Sequence, residues 1–159
     1  MSTFDIILHP TDFSEDSERA FQLACSVVRD QFASLVVVHV VPPETIPDRQ
    51  SDDVAIDEEH PVVRECYEHF CRMKAQAGEM PISFRIVRGY PVGAILNVAY
   101  EENADLIVVA SHNQSRFHLQ VHGSVAEGLL RQTHCPVLVL RHPTPNPSPP
   151  TLPLDVKKS

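Results

Sequence analysis

The apolar positions along the chain follow two alternating rhythms. Short β-branched runs recur at "FDIILHP" (4–10), "SLVVVHVV" (34–41), "ISFRIVR" (82–88), "ADLIVVA" (104–110) and "PVLVLR" (136–141), and between them apolar residues return at helical spacing. Near-continuous stretches such as "LVVV" and "LIVV" suit strands covered on both faces, as in a parallel sheet with helices on each side. The pattern predicts β-α-β-α-β-α-β-α-β, an α/β fold on a single open, five-stranded parallel sheet.

The helices carry their own start signals. The first, 14 to 32, opens at Ser14, whose hydroxyl suits an N-cap, with Glu15 and Asp16 in the turn where the helix dipole favours negative charge. Its expected buried stripe is Ala20, Leu23, Ala24, Val27 and Val28. The second starts near Pro61, with Val63, Cys66, Tyr67, Phe70 and Ala77 inward, and the third at Pro91, burying Val92, Ile95, Leu96 and Ala99. The fourth begins at Ser124, where Glu127 can complete a capping box, and turns Val125, Ala126, Leu129 and Leu130 inward.

Two segments lack either rhythm. Residues 42–60, proline-rich and acidic, read as a mobile surface loop; residues 143–159, dense in proline, read as an extended or disordered, solvated tail. The domain is therefore expected to span residues 1–142.

Composition narrows the function classes. A chain of 159 residues, 43% apolar, supplies one core and one domain. No apolar run approaches the roughly 20 residues that cross a bilayer, and no basic, apolar leader opens the chain, so the reading is soluble and cytoplasmic, with no membrane partner. The net charge of -8 argues against non-specific nucleic-acid binding, which needs a basic surface. Cys25, Cys66, Cys71 and Cys135 are scattered, as suits reduced thiols. In "CYEHFC" the two sulfurs of a helix would point about 140° apart, so packing explains them better than a shared metal.

In a doubly wound sheet, ligands sit beyond the carboxyl ends of the strands where strand order reverses. "HPTDFS", after the first strand, and "ASHNQSRFHLQVHGS" (110–124), after the fourth, are the segments expected there. Asp12 can accept hydrogen bonds from a ribose, or serve only as a helix-entry residue bonded to nearby N–H groups; position alone does not separate the two. Gly123 and Ser124 can present amides to an anion at a helix start, or simply cap it. Arg116, the fixed positive charge of the loop, can face a phosphate or solvent. His112, His118 and His122 share that loop, but no carboxylate or cysteine lies between Ser111 and Ser124, and no metal is expected. Nothing places a nucleophile, base and orienting acid together, and no Walker-type lysine is present, so no catalytic residue is assigned.

The segments "HPTDFSEDSERAF", "VVHVVPP", "RGYPVGAILNVAYEENADLIVVASH" and "GSVAEGLLRQTHCPVLVLR" together resemble the universal stress protein family over about residues 4 to 142. The resemblance implies an adenine nucleotide alpha hydrolase-like (Rossmann-like) sheet in the order 3-2-1-4-5, and a homodimer joined through the last strand, Val137–Leu140. That strand's uncharged edge gives dimerisation a physical motive.

The family's nucleotide-binding branch shows Gly-x-x-Gly, nine residues, then Gly-Ser or Gly-Thr. Carried onto this chain, the glycine positions are Ala110, Asn113 and Gly123, followed by Ser124; the nine-residue spacing, 114–122, is kept, but two of the three glycines are not. The implied pocket has a nucleoside half of Pro10, Thr11 and Asp12, with Asp12 on the ribose, and the backbone of Val40 or Val41 on the base. Its phosphate half is Ala110, Ser111, His112, Asn113, Arg116, Gly123, Ser124 and Val125.

The expectation is a homodimeric, non-catalytic stress-response module in which ATP binding is weak or absent. The alternative is a switch that binds ATP or another adenine nucleotide through Asp12 and the Gly123–Ser124 helix start. In the ligand-independent form, Phe117, Leu119 and Val121 would fill the cleft.

Overall fold

The computed structural model describes residues 3–46, 58–111 and 125–141. The elements are β1 (Ile6–Pro10), α1 (Glu15–Gln31), β2 (Ser34–Val41), α2 (Pro61–Ala77), β3 (Ile82–Arg88), α3 (Pro91–Glu101), β4 (Leu106–Ser111), α4 (Val125–Gln132) and β5 (Val137–Arg141). All strand pairings are parallel, and the order is β3-β2-β1-β4-β5. The predicted α/β architecture and strand order are both observed.

Alternation along each strand splits the core in two. Ile7, Leu35, Val37 and Val108 face α1 and α2, whereas Leu8, Val36, Val38, Ile107 and Val109 face α3 and α4. Successive side chains of a strand point to opposite faces, so a strand covered on both sides must be apolar at every position. The runs "LVVV" and "LIVV" meet that demand.

α1 starts as expected: Ser14 is the N-cap, its hydroxyl accepting from Ser17 N–H at 3.2 Å. The buried stripes differ in detail. α1 buries Ser17, Phe21 and Cys25 along with Ala20, Ala24 and Val28, while Leu23 and Val27 are only partly covered. The helix lies across the centre of the sheet, rolled toward the 17/21/25 flank, and apolar spacing alone allowed either flank. Tyr67 and Leu130, expected inside, are exposed at 46% and 56%. α2 packs over β3 at the sheet's edge, and α4 has only eight residues over β4 and β5, so each buries a narrow stripe. On α3, Val98 joins Ile95 and Ala99 inside, whereas Val92 and Leu96 are half-buried.

The cysteines are unpaired thiols; Cys66 is buried, as packing demands, whereas Cys71, expected to pack, is exposed. The start of the acidic segment is tied down: Ile46 is buried against Val41 and Val63, and Arg88 donates to Pro43 O at 3.1 Å. The remainder of that segment, 47–57, and the tail, 142–159, lie outside the described residues. No helix among the described residues is long and apolar enough to cross a membrane.

α3 and α4 meet closely at Gly128, where a Cβ would stand 2.7 Å from Val92 Cγ2. Overpacking costs about 1–3 kcal/mol, against a gain of about 1 kcal/mol from replacing a helical glycine. Gly128→Ala should therefore lower stability by about 1 kcal/mol, and Val92→Ala in the same chain should restore it in a denaturation double-mutant cycle. A neutral or stabilising Gly128→Ala would show that the two helices can move apart freely.

Candidate functional site

The site begins where two neighbouring strands separate. β1 and β2 stay in register as far as Pro10↔Val38, and β4 and β5 as far as Ser111↔Arg141, but β1 and β4 pair only at Ile7↔Leu106 and Leu8↔Ile107. Pro10 brings no N–H to extend that ladder. The Val108 carbonyl is satisfied instead by a side chain, His9 Nδ1–H, at 2.8 Å. Beyond this point β1 leads into α1 on one face and β4 toward α4 on the other, which opens a crevice at the carboxyl edge.

His9 is fully buried, and its Nε2 has no hydrogen-bond partner among the described residues. Burial pushes the imidazole pKa down to about 4, outweighing the bond to Val108 and the nearby Asp12 carboxylate. His9 is therefore neutral, with its proton on Nδ1.

The loop after β1 is held atom by atom. Thr11 N–H donates to Val38 O at 2.9 Å, its carbonyl accepts from His39 Nδ1–H at 2.8 Å, and its hydroxyl accepts from Phe13 N–H at 3.0 Å. Asp12 Oδ1 accepts from Ser14 N–H at 3.0 Å and from the Ser17 hydroxyl at 2.7 Å. The helix-entry role of Asp12 is thus realised. The two bonds together fix the position of Oδ1 between the loop and the first turn of α1.

At the end of β2, Val40 and Val41 are buried, and the Val41 carbonyl accepts from Gly89 N–H at 3.0 Å. Gly89 has φ +155°, and a Cβ there would lie 3.3 Å from Ala94 Cβ, so glycine suits this close turn into α3. On the other side of the crevice, Ala110 is 5% exposed and its methyl joins the core under α1. Ser111, the next residue, is half-buried at the end of β4.

The structure therefore brings Pro10, Thr11, Asp12, Val40, Val41, Ala110 and Ser111 to the carboxyl edge of one sheet, with Val125 starting α4. His112, Asn113, Arg116, Gly123 and Ser124 lie outside the described residues, as do Phe117, Leu119 and Val121. Sequence reasoning missed three groups. His39 and Phe13 shape the Asp12 loop, and the parallel register sets Arg141 beside Ser111, adding a fixed positive charge at this rim. Only the strand pairing, not the 30-residue separation along the chain, reveals that neighbour. Among the described residues no cluster of histidine, cysteine and carboxylate suits a metal.

A doubly wound sheet in this order, with an oriented carboxylate where the strands part, defines an adenine nucleotide alpha hydrolase-like, Rossmann-like domain. The model of the universal stress protein family matches residues 3–141, and the chain belongs to that family. A Staphylococcus aureus (strain USA300) protein carrying the universal stress protein name is 29% identical over 143 residues, 89% of this chain and 86% of its own. Among solved structures, a universal stress protein in complex with cAMP is 28% identical with a TM-score of 0.67, covering 87% of this chain and 98% of that one. A Burkholderia pseudomallei member, 27% identical, superposes with a TM-score of 0.61 over 88% of this chain and 98% of its own. An Archaeoglobus fulgidus universal stress protein in complex with dAMP, at 22% identity and a TM-score of 0.60, shares the fold over 87% of this chain and 98% of its own.

The buried His9 also sets an acid limit on the fold. Its pKa is about 4 when folded against 6.5 as a free side chain, so the unfolded chain binds the extra proton between those values. That stabilisation is complete above pH 6.5 and falls by roughly 3 kcal/mol as pH drops toward 4. His39, lowered by burial, acts in the same direction. Denaturation midpoints of His9→Gln should show a visibly flatter decline between pH 7 and 4 than those of the wild type; parallel curves would contradict this account.

Proposed function

We propose that this protein is a non-catalytic regulatory module of the stress response that recognises the nucleoside part of an adenine nucleotide. Short-phosphate ligands, such as AMP or cAMP, are held in preference to ATP. The observation that carries this reading is Asp12, oriented by Ser14 N–H and the Ser17 hydroxyl at the point where β1 and β4 separate. Pro10 and Thr11 frame it, Val40 and Val41 at the end of β2 are the candidates to meet the base through backbone, and the family relative bound to cAMP supports the ligand class.

The phosphate half supports a weak grip on a triphosphate. Of the two glycine positions replaced, Ala110 turns its methyl into the core, so the substitution that matters is Asn113. Asparagine tolerates positive φ better than other side chains, but it adds a polar side chain where bare backbone would wrap phosphates. A non-catalytic role agrees with the hydroxyl nearest the crevice acid: Ser17 donates to Asp12 rather than to an imidazole, and it is buried.

Titration calorimetry with adenosine, AMP, cAMP and ATP tests the reading. Asp12→Ala should weaken AMP binding about tenfold to a hundredfold, since a hydrogen bond to a charged group is worth about 1.5–3 kcal/mol. ATP binding clearly tighter than AMP, or AMP affinity indifferent to Asp12→Ala, would sink it.

The active unit in this proposal is a homodimer through β5 in the cytoplasm. The two sheet edges support it by their contrast. β3 carries Arg85, paired with Glu101 at 2.7 Å and Glu102 at 3.0 Å, whereas β5 has no charge before Arg141 and exposes Leu138. A bare apolar edge invites pairing, and a two-fold axis covers it once. Light scattering should give twice the chain mass for wild type and the single-chain mass for Leu138→Asp; a monomeric wild type at high concentration would refute the dimer.

A further inference from the structure

We infer that Phe13 is the positioning residue of Asp12: its ring, held against His39 and His69, fixes the left-handed turn that aims the carboxylate into the crevice. The inference rests on the reading of Asp12 as the nucleoside-binding group and goes beyond it by assigning what holds that group in place.

Phe13 has φ +61°, in the left-handed region that bulky side chains rarely occupy. Phe32 takes the same conformation as the exposed C-cap of α1, whereas at Phe13 the ring itself is packed on several sides. Here the surroundings are explicit. The Phe13 ring lies 4.2 Å from the His69 ring and nearly parallel to it, at 10°; it is 4.5 Å from His39 and edge-on to Phe70 at 5.5 Å. These partners come from β2 and α2, so two elements distant in sequence grip one loop side chain. The backbone of the same residue is held by Phe13 N–H donating to the Thr11 hydroxyl.

The grip reaches Asp12 by the shortest route. Asp12 precedes Phe13 in the chain and accepts from Ser14 N–H, just after it, so the Asp12 to Ser14 bond closes around Phe13. If the φ of Phe13 relaxes to the ordinary negative range, Ser14 N–H turns away from Asp12 Oδ1. His39 works at both ends of this arrangement, touching the Phe13 ring while its Nδ1–H holds the Thr11 carbonyl. A small groove of about 280 Å³ beside the ring, bordered by Arg72, Met73 and Gln76 of α2, leaves it room to swing out once released.

The test uses the full chain, AMP as the probe, and residue-resolved amide exchange. Phe13→Ala should weaken AMP binding about tenfold, and Phe13→Tyr should stay within about threefold of wild type. His69→Ala, which removes the stacked ring from the half-exposed side, should shift affinity in the same direction by less and serves where Phe13→Ala folds poorly. In the absence of ligand, exchange at Ser14 and Ser17 should quicken in Phe13→Ala while Ala24 and Val28 of α1 keep wild-type protection. A uniform rise along α1, or undiminished AMP affinity in Phe13→Ala, would reduce Phe13 to ordinary packing and overturn the inference. If wild type binds no AMP, the reading of Asp12 fails separately, and the exchange pattern alone decides whether Phe13 positions it.

Discussion

The hydrogen bond from His9 Nδ1 to the Val108 carbonyl stands at the place on which the architecture turns. A parallel sheet buried on both faces cannot leave a carbonyl unsatisfied without cost, yet a crevice requires two adjacent strands to stop pairing. "HP" at 9–10 resolves the conflict. Proline withholds an N–H, so the ladder between β1 and β4 ends, and histidine supplies a side-chain N–H to the carbonyl left behind. The imidazole reaches that carbonyl and stays neutral, so it occupies a fully buried position without importing charge. Its cost is an Nε2 without a hydrogen-bond partner among the described residues and a fold that prefers neutral to acidic pH.

Downstream of that bond, order is bought with short contacts rather than bulk. Between Thr11 and Ser17 nearly every polar group with an assigned partner bonds within the loop or to β2, through hydroxyls, one carboxylate and the His39 imidazole. Serine, threonine and aspartate serve here because their short side chains reach backbone groups two or three residues away. A carboxylate set in such a mesh has little conformational freedom left to lose, which is how preorganisation raises affinity without adding contacts.

How far the sequence discloses this can be argued residue by residue. Strand positions were legible because double-sided burial forces unbroken β-branched runs: β2 and β3 begin and end where the pattern says they do. Ser14 was legible as a cap because capping is local chemistry. The rotation of α1 was not, since Leu23 and Phe21 are equally apolar and only the sheet beneath decides between them. Phe13 and His39 were invisible for a related reason: a left-handed phenylalanine has no sequence signal, and the partners that tolerate it come from β2 and α2. The place of Asp12, just after β1 and ahead of α1, was legible; the bonds that hold its carboxylate there were not.

The two lost glycines show why a motif must be read through the fold. Counted in sequence, Ala110 and Asn113 are equal departures from a phosphate loop. Yet Ala110 is the penultimate residue of β4, at a position that faces the α1 side, where a methyl fills core. A glycine there would leave that methyl's volume to be filled by neighbours, so alanine is the better residue for the strand. Strand register also sets Arg141, a fixed positive charge, beside Ser111 at the same edge of the sheet. A motif position that falls inside a strand is therefore read by what its side chain packs against, and the register of the neighbouring strand adds charges that the motif itself does not contain.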